Sequence, residues 1–156
     1  MPDDSAPTGR ILALSADDHW MQAGFPSELV ARGQGRPTLS GWSFPSDAEL
    51  DFYDETGHRL HPLLRSDLRL RGFIASDPAV PDEMADRIGR VLEWVTSRAD
   101  DDDARARLRH LSELLDQGRL PALLSEVSAA STEPGETARG KHEGGWLYKL
   151  WRTIFG

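Results

Sequence analysis

The chain has 156 residues, 38% of them apolar, and a formal net charge of −8. That length suits one domain with appendages, and the absence of cysteine excludes disulfides and thiolate metal sites. Lys141, Lys149 and Arg152 against Glu143 give the last 16 residues a charge of +2, which leaves −10 on the first 140. An acidic body disfavours nonspecific nucleic-acid binding, so no nucleic-acid partner is expected.

The N-terminal residues 1–9 are polar and contain two prolines, which predicts a disordered segment. They lack the charged-then-apolar pattern of a secretory signal, and no run approaches the ~18 apolar residues of a spanning helix. A cytoplasmic location is therefore expected.

The first half of the chain favours strands. Residues 11–14 are a short apolar run that fits a buried strand or a helical turn. A short helix is predicted around 28–31 and a strand across 39–44. Apolar and polar residues alternate over 48–61, which predicts a β-hairpin that ends before Pro62. A further strand is expected over 68–74, with Gly72 as a possible bulge.

From Asp77 onward the apolar residues recur every three or four positions, which predicts helices. The first helix is expected to run to about Arg98 and the second to end near Gly118, followed by a third over 120–127. The aspartates of residues 100–103 fit the start of the second helix, since carboxylates offset the helix dipole there. Together these patterns predict one α+β domain over residues 10–127, with an antiparallel sheet followed by a helical hairpin and a short helix.

Candidate chemistry in this domain is sparse. The stretch RILALSADDHWMQAG resembles the opening of a response-regulator receiver, but no later strand ends in the phosphorylatable Asp or the Lys of that family. His58 and His61 would point to opposite faces of a strand, which is poor geometry for sharing a metal. No nucleophile or phosphate-binding motif is present. No catalytic residue, metal or cofactor is predicted, and a small enzyme or ligand-binding domain with an unrecognised site stays open as an alternative.

The C-terminal part of the chain carries the clearest functional pattern. Residues 128–145 contain no large apolar residue, which predicts a flexible linker. On a helical wheel of residues 146–156, the large apolar side chains occupy one half, and Lys149, Arg152 and Thr153 lie opposite. The predicted membrane- or partner-binding residues are Trp146, Leu147, Lys149, Leu150, Trp151, Arg152, Ile154 and Phe155.

A helix this short is unstable in water by itself, so its apolar face needs a cover. The cover could be an anionic membrane surface, a groove of a partner complex or shell, or the protein's own body. The tail resembles the short amphipathic membrane-targeting tails that follow flexible linkers in some cytoplasmic bacterial division proteins, which implies a mode of attachment. The sequence therefore predicts a non-enzymatic adaptor or accessory protein, peripheral on the inner face of the membrane, with docking in a partner groove as the alternative and the oligomeric state unknown.

Overall fold

The computed structural model describes residues 9–26, 49–66, 70–131 and 146–155. The described elements are five strands followed by four helices. The strands are β1 (Ile11–Ser15), β2 (Met21–Gly24), β3 (Leu50–Asp54), β4 (His58–Leu64) and β5 (Leu70–Ala79). The helices, in chain order, are α1 (Pro81–Thr96), α2 (Asp102–Asp116), α3 (Leu120–Ala130) and α4 (Trp146–Phe155). The α+β class, with an antiparallel sheet in the N-terminal half and helices after it, is confirmed.

The strands form one antiparallel sheet in the order β2-β1-β3-β4-β5. All five residues of β1 are buried, so both faces of this strand are covered and its apolar run needs no polar alternation. The run at 11–14 is thus a strand. Its partner β2 was not predicted, because its four residues, which include Gln22 and Gly24, show no regular recurrence of apolar residues.

The predicted hairpin is confirmed, with a turn at Gly57, whose φ is +94°. The prediction that Pro62 ends the second strand is wrong, since β4 continues to Leu64. At this position β4 pairs with β5, where Pro62 lies opposite Phe73, whereas its ladder with β3 stops at Leu60. Proline is tolerated where only one neighbouring strand pairs.

The last strand and the first helix meet later than predicted. β5 extends through Pro78 to Ala79, and its pairing with β4 shifts register beside Gly72, as expected for a bulge. Helix α1 begins at Pro81, with Asp82 and Glu83 in its first turn, where carboxylates are favourable.

The two following helices agree with the sequence pattern. The aspartate run lies at the start of α2, and the Asp101 side chain accepts a hydrogen bond from the Asp103 N–H at 3.3 Å. Gly118 follows α2 with φ +71°. Helix α3 continues to Ala130, so residues 128–130 belong to the body and not to the predicted linker. Ala130 is buried, which explains the extra turn.

Some predictions fall outside the described residues. These are the disordered segment up to residue 8, the short helix at 28–31, the strand at 39–44 and linker residues 132–145.

Candidate functional site

The C-terminal helix α4 lies against the body of the protein. Leu147, Leu150 and Trp151 are buried, and α4 packs against α2 and α3. The other large apolar side chains of the helix are half-buried against the same core, namely Trp146, Tyr148, Ile154 and Phe155. Of the three covers that the sequence left open, the structure contains the protein's own body.

Aromatic rings connect α4 to the sheet and to α1. The Trp151 ring lies 6.3 Å from that of Trp20, which follows the β1–β2 turn. The Phe155 ring lies 6.1 Å from Trp94 of α1, and Trp94 stacks on His19 with ring centroids 4.0 Å apart. Helix α4 therefore contacts two tryptophans that are far from it in sequence.

The indole of Trp151 places a polar atom inside this interface. The indole N–H of Trp151 is buried and has no hydrogen-bond acceptor among the described residues, although the side chain is only 1% exposed. A buried donor left without an acceptor costs about 1–3 kcal/mol. The docked position of α4 is less favourable than its apolar contacts suggest.

The opposite face of α4 is polar and faces solvent. Lys149, Arg152 and Thr153 are exposed, and the Thr153 hydroxyl donates to the Lys149 carbonyl at 3.1 Å. Within the described ranges, no carboxylate lies at ion-pairing distance from Lys149 or Arg152. Two positive charges thus remain available on the outer surface of the docked helix.

Between α4 and the start of α2 lies a cavity of about 400 Å³. Its walls combine aspartates of the α1–α2 connection, basic side chains and part of the apolar face of α4. The lining residues are Arg98, Asp100, Asp101, Asp103, Ala104 and Arg107 of the body and Trp146, Lys149, Leu150 and Thr153 of α4. Helix α4 therefore leaves part of the space between itself and α2 open.

A second cluster is built around the buried Arg87 of α1. Its guanidinium donates to Asp18 at 2.7 Å, Asp51 at 2.9 Å, the Tyr53 hydroxyl at 3.2 Å and the Ser15 carbonyl at 3.0 Å. Burial acts to lower the pKa of Arg87, but the hydrogen bonds to Asp18 and Tyr53 outweigh it and raise the pKa above its usual value. Arg87 therefore stays charged and joins α1 to β1, to the β1–β2 turn and to β3.

The remaining members of the cluster are also paired. The Tyr53 hydroxyl donates to Glu83 at 2.6 Å, and Arg90 donates to Asp18 at 3.0 Å. Burial, followed by the hydrogen bond to Glu83, raises the pKa of Tyr53 above 10.0. Because these groups satisfy one another, the cluster reads as a structural ion-pair network.

Asp18 lies in the stretch that resembles a receiver opening, and in the structure it has φ +60° in the connection between β1 and β2. Its main partner Arg87 lies 69 residues away, and no local pattern announces such a pair. Trp20 is buried and Trp94 is half-buried, and no sequence pattern indicates that their rings contact α4.

No family model, no curated protein and no solved structure matches this chain. Function must therefore be inferred from the geometry of the chain itself.

Three other features bear on the search for a site. In the described segments, no group of three or more His, Cys, Asp or Glu side chains is placed to hold a metal. The His58 Nδ1 lies 2.7 Å from the Thr56 hydroxyl and 3.4 Å from Asp54, within its own turn. None of the described helices is both long and apolar enough to cross a membrane.

Proposed function

We propose that this protein is a non-enzymatic adaptor or accessory protein that is recruited from the cytoplasm to an anionic membrane surface through α4. The helix would leave the body and insert the same apolar face into the lipid headgroup layer. The observation that carries this proposal is that one short helix combines a large aromatic face with a buried indole N–H and a basic face that have no partner among the described residues.

The indole of Trp151 favours the exchange. In the docked state its N–H has no acceptor among the described residues, whereas water, phosphate and ester oxygens are abundant at a membrane surface. Tryptophan is enriched at membrane interfaces because its ring is apolar and its N–H is polar. Moving α4 to lipid would keep Leu147, Leu150 and Trp151 covered and provide the missing acceptor.

The free energy of docking is small enough for exchange to occur. Burying three apolar side chains and half-burying four more contributes about 8–15 kcal/mol, at ~1.5–3 kcal/mol for each fully buried side chain. Ordering ten backbone residues costs about 10–20 kcal/mol. Since the two quantities are of similar size, a competing surface can shift the position of α4.

Charge favours an anionic lipid surface as that competitor. Lys149 and Arg152 are exposed on the docked helix, and each cation near an anionic membrane contributes about 1 kcal/mol. The fourteen residues between Ser131 and Trp146 can reach about 50 Å when fully extended. That reach exceeds the ~8 Å Debye length at physiological salt, so the acidic body need not approach the lipid closely.

The proposal can be tested by co-sedimentation of the full chain with vesicles. We expect the protein to sediment with phosphatidylglycerol-containing vesicles and to stay in the supernatant with phosphatidylcholine vesicles. Arg152→Glu should weaken binding about tenfold, because it replaces an attraction by a repulsion at the surface. Arg109→Glu is the matched control: Arg109 is an exposed arginine of α2, so the net charge changes equally while the tail is untouched.

Equal losses for the two variants would mean that only net charge matters, and the recruiting role of α4 would be wrong. Failure of the unmodified protein to bind any vesicle would refute membrane recruitment. Binding of α4 to a groove of a partner complex would then be the better account of the tail.

A further inference from the structure

The body surface beneath α4 has the form of a helix-binding groove. We call it the tail groove and define it as the faces of α2 and α3 that contact α4, together with Trp20 and Trp94. If α4 moves to a membrane, both tryptophans lose their cover. A monomer rarely leaves a large contiguous apolar patch exposed unless it serves binding.

Helix α4 fits this groove imperfectly. The 400 Å³ cavity remains beside it, and the Trp151 N–H inside the interface finds no acceptor among the described residues. A cleft that the helix leaves unfilled forgoes contacts, and an unpaired buried donor costs free energy, so both lower affinity. A different amphipathic helix with a better fit could therefore occupy the groove once α4 has left.

The charges at the rim of the groove indicate what kind of helix would fit. Asp100, Asp101 and Asp103 line the cavity and are exposed, and Lys149 of α4 lines it from the other side. Arg107 already pairs with Asp103 at 3.7 Å, and Arg98, which also lines the cavity, donates to the Trp94 carbonyl at 3.3 Å. Asp100 therefore faces the cavity with no ion pair to a described residue. A basic residue on the incoming helix would complement this rim.

We propose that the tail groove is a receptor site for an amphipathic, basic helix of a partner protein, exposed when α4 is transferred to the membrane. This inference rests on the proposed function, because the release of α4 opens the site. The partner helix has apolar residues at the spacing of Leu147, Leu150 and Trp151, since the groove binds that apolar pattern in the structure. It has a cation near the position of Lys149, which lines the same cavity as the aspartates. Recognition follows the helix-in-groove mode.

Membrane binding and partner binding are then coupled. Binding to the membrane removes α4 from the tail groove, and a bound partner helix prevents α4 from returning to it. By linkage, each event raises the affinity for the other by the same factor. The protein would therefore assemble with its partner preferentially at the membrane.

The experiment uses the full chain and a fluorescent peptide with the sequence of residues 145–156, in solution without lipid. In Trp151→Glu, a charge replaces a buried ring, so the internal helix should leave the groove open. We expect the peptide to bind this variant at least about tenfold more tightly than the unmodified chain, in which the tail competes. Ile154→Glu, at a half-buried position of α4, provides the same comparison if Trp151→Glu does not fold.

Two altered peptides test the charge argument. A Lys149→Glu peptide should bind about fivefold more weakly than an Arg152→Glu peptide, because only Lys149 lines the cavity with the aspartates. Equal binding of the two peptides would refute the proposed charge recognition. Equal peptide affinity for the opened and unmodified chains would overturn the receptor site.

Dimerisation of the unmodified chain with increasing concentration, measured by light scattering, would show that the groove takes the tail of a second copy, and would also overturn the proposal. Because the assay contains no membrane, its outcome is independent of whether vesicle binding succeeds.

Discussion

Trp20 and Trp151 allow a direct test of whether α4 is separable from the body. Both side chains are at most 1% exposed, and their rings are in contact. Trp20→Ala should lower the free energy of unfolding by about 3–5 kcal/mol, as expected for loss of a buried aromatic side chain in a core that cannot rearrange.

Trp151→Ala should cost less, about 1–3 kcal/mol. The truncation removes similar apolar contacts, but Trp151 lies on α4, whose docking is only marginally favourable, whereas Trp20 belongs to the core beside the sheet. In addition, the loss cannot exceed the free energy of docking, because α4 can then detach while the body stays folded. Trp151→Phe should lie within about 1 kcal/mol of the unmodified protein, since it keeps a ring in the site.

Urea denaturation followed by far-ultraviolet circular dichroism measures these differences. Detachment of α4 should also lower the m value of Trp151→Ala, because less surface remains to be exposed on unfolding. If Trp151→Ala costs as much as Trp20→Ala and leaves the m value unchanged, α4 is an inseparable part of the core. Both proposals about its release would then be refuted.

Two further predictions concern the body. Gly57→Ala should destabilise the protein by more than Gly118→Ala. Both glycines have positive φ, but a Cβ at Gly57 would come within 2.7 Å of the Pro81 backbone, whereas Gly118 faces open space. Thermal melts should show a loss of about 1 kcal/mol for Gly118→Ala, and equal shifts of the two variants would contradict the steric argument. The raised pKa of Tyr53 implies stability that is fully present below pH 10 and is lost as pH rises through the folded-state pKa. Tyr53→Phe should remove this alkaline loss in urea titrations between pH 8 and 11, and an unchanged pH profile would show that Tyr53 does not cause it.

The sequence by itself determined the elements that depend on local chemistry. The periods of three and four after Asp77, the capping aspartate at 101 and the glycine at 118 act within one or two helical turns, so the helices of the body were predicted near their observed positions. The hairpin at 50–64 was found because its alternation and its turn are also local.

Tertiary structure decided the features that depend on distant partners. Strand β2 exists because β1 pairs with it, and β4 continues through Pro62 because only β5 pairs there. Arg87 finds Asp18 across 69 residues. The amphipathic pattern of α4 required a cover for its apolar face, but a helical wheel contains no information about what supplies that cover. In the structure it is supplied by two tryptophans and two helices, because folding brings them together on one surface.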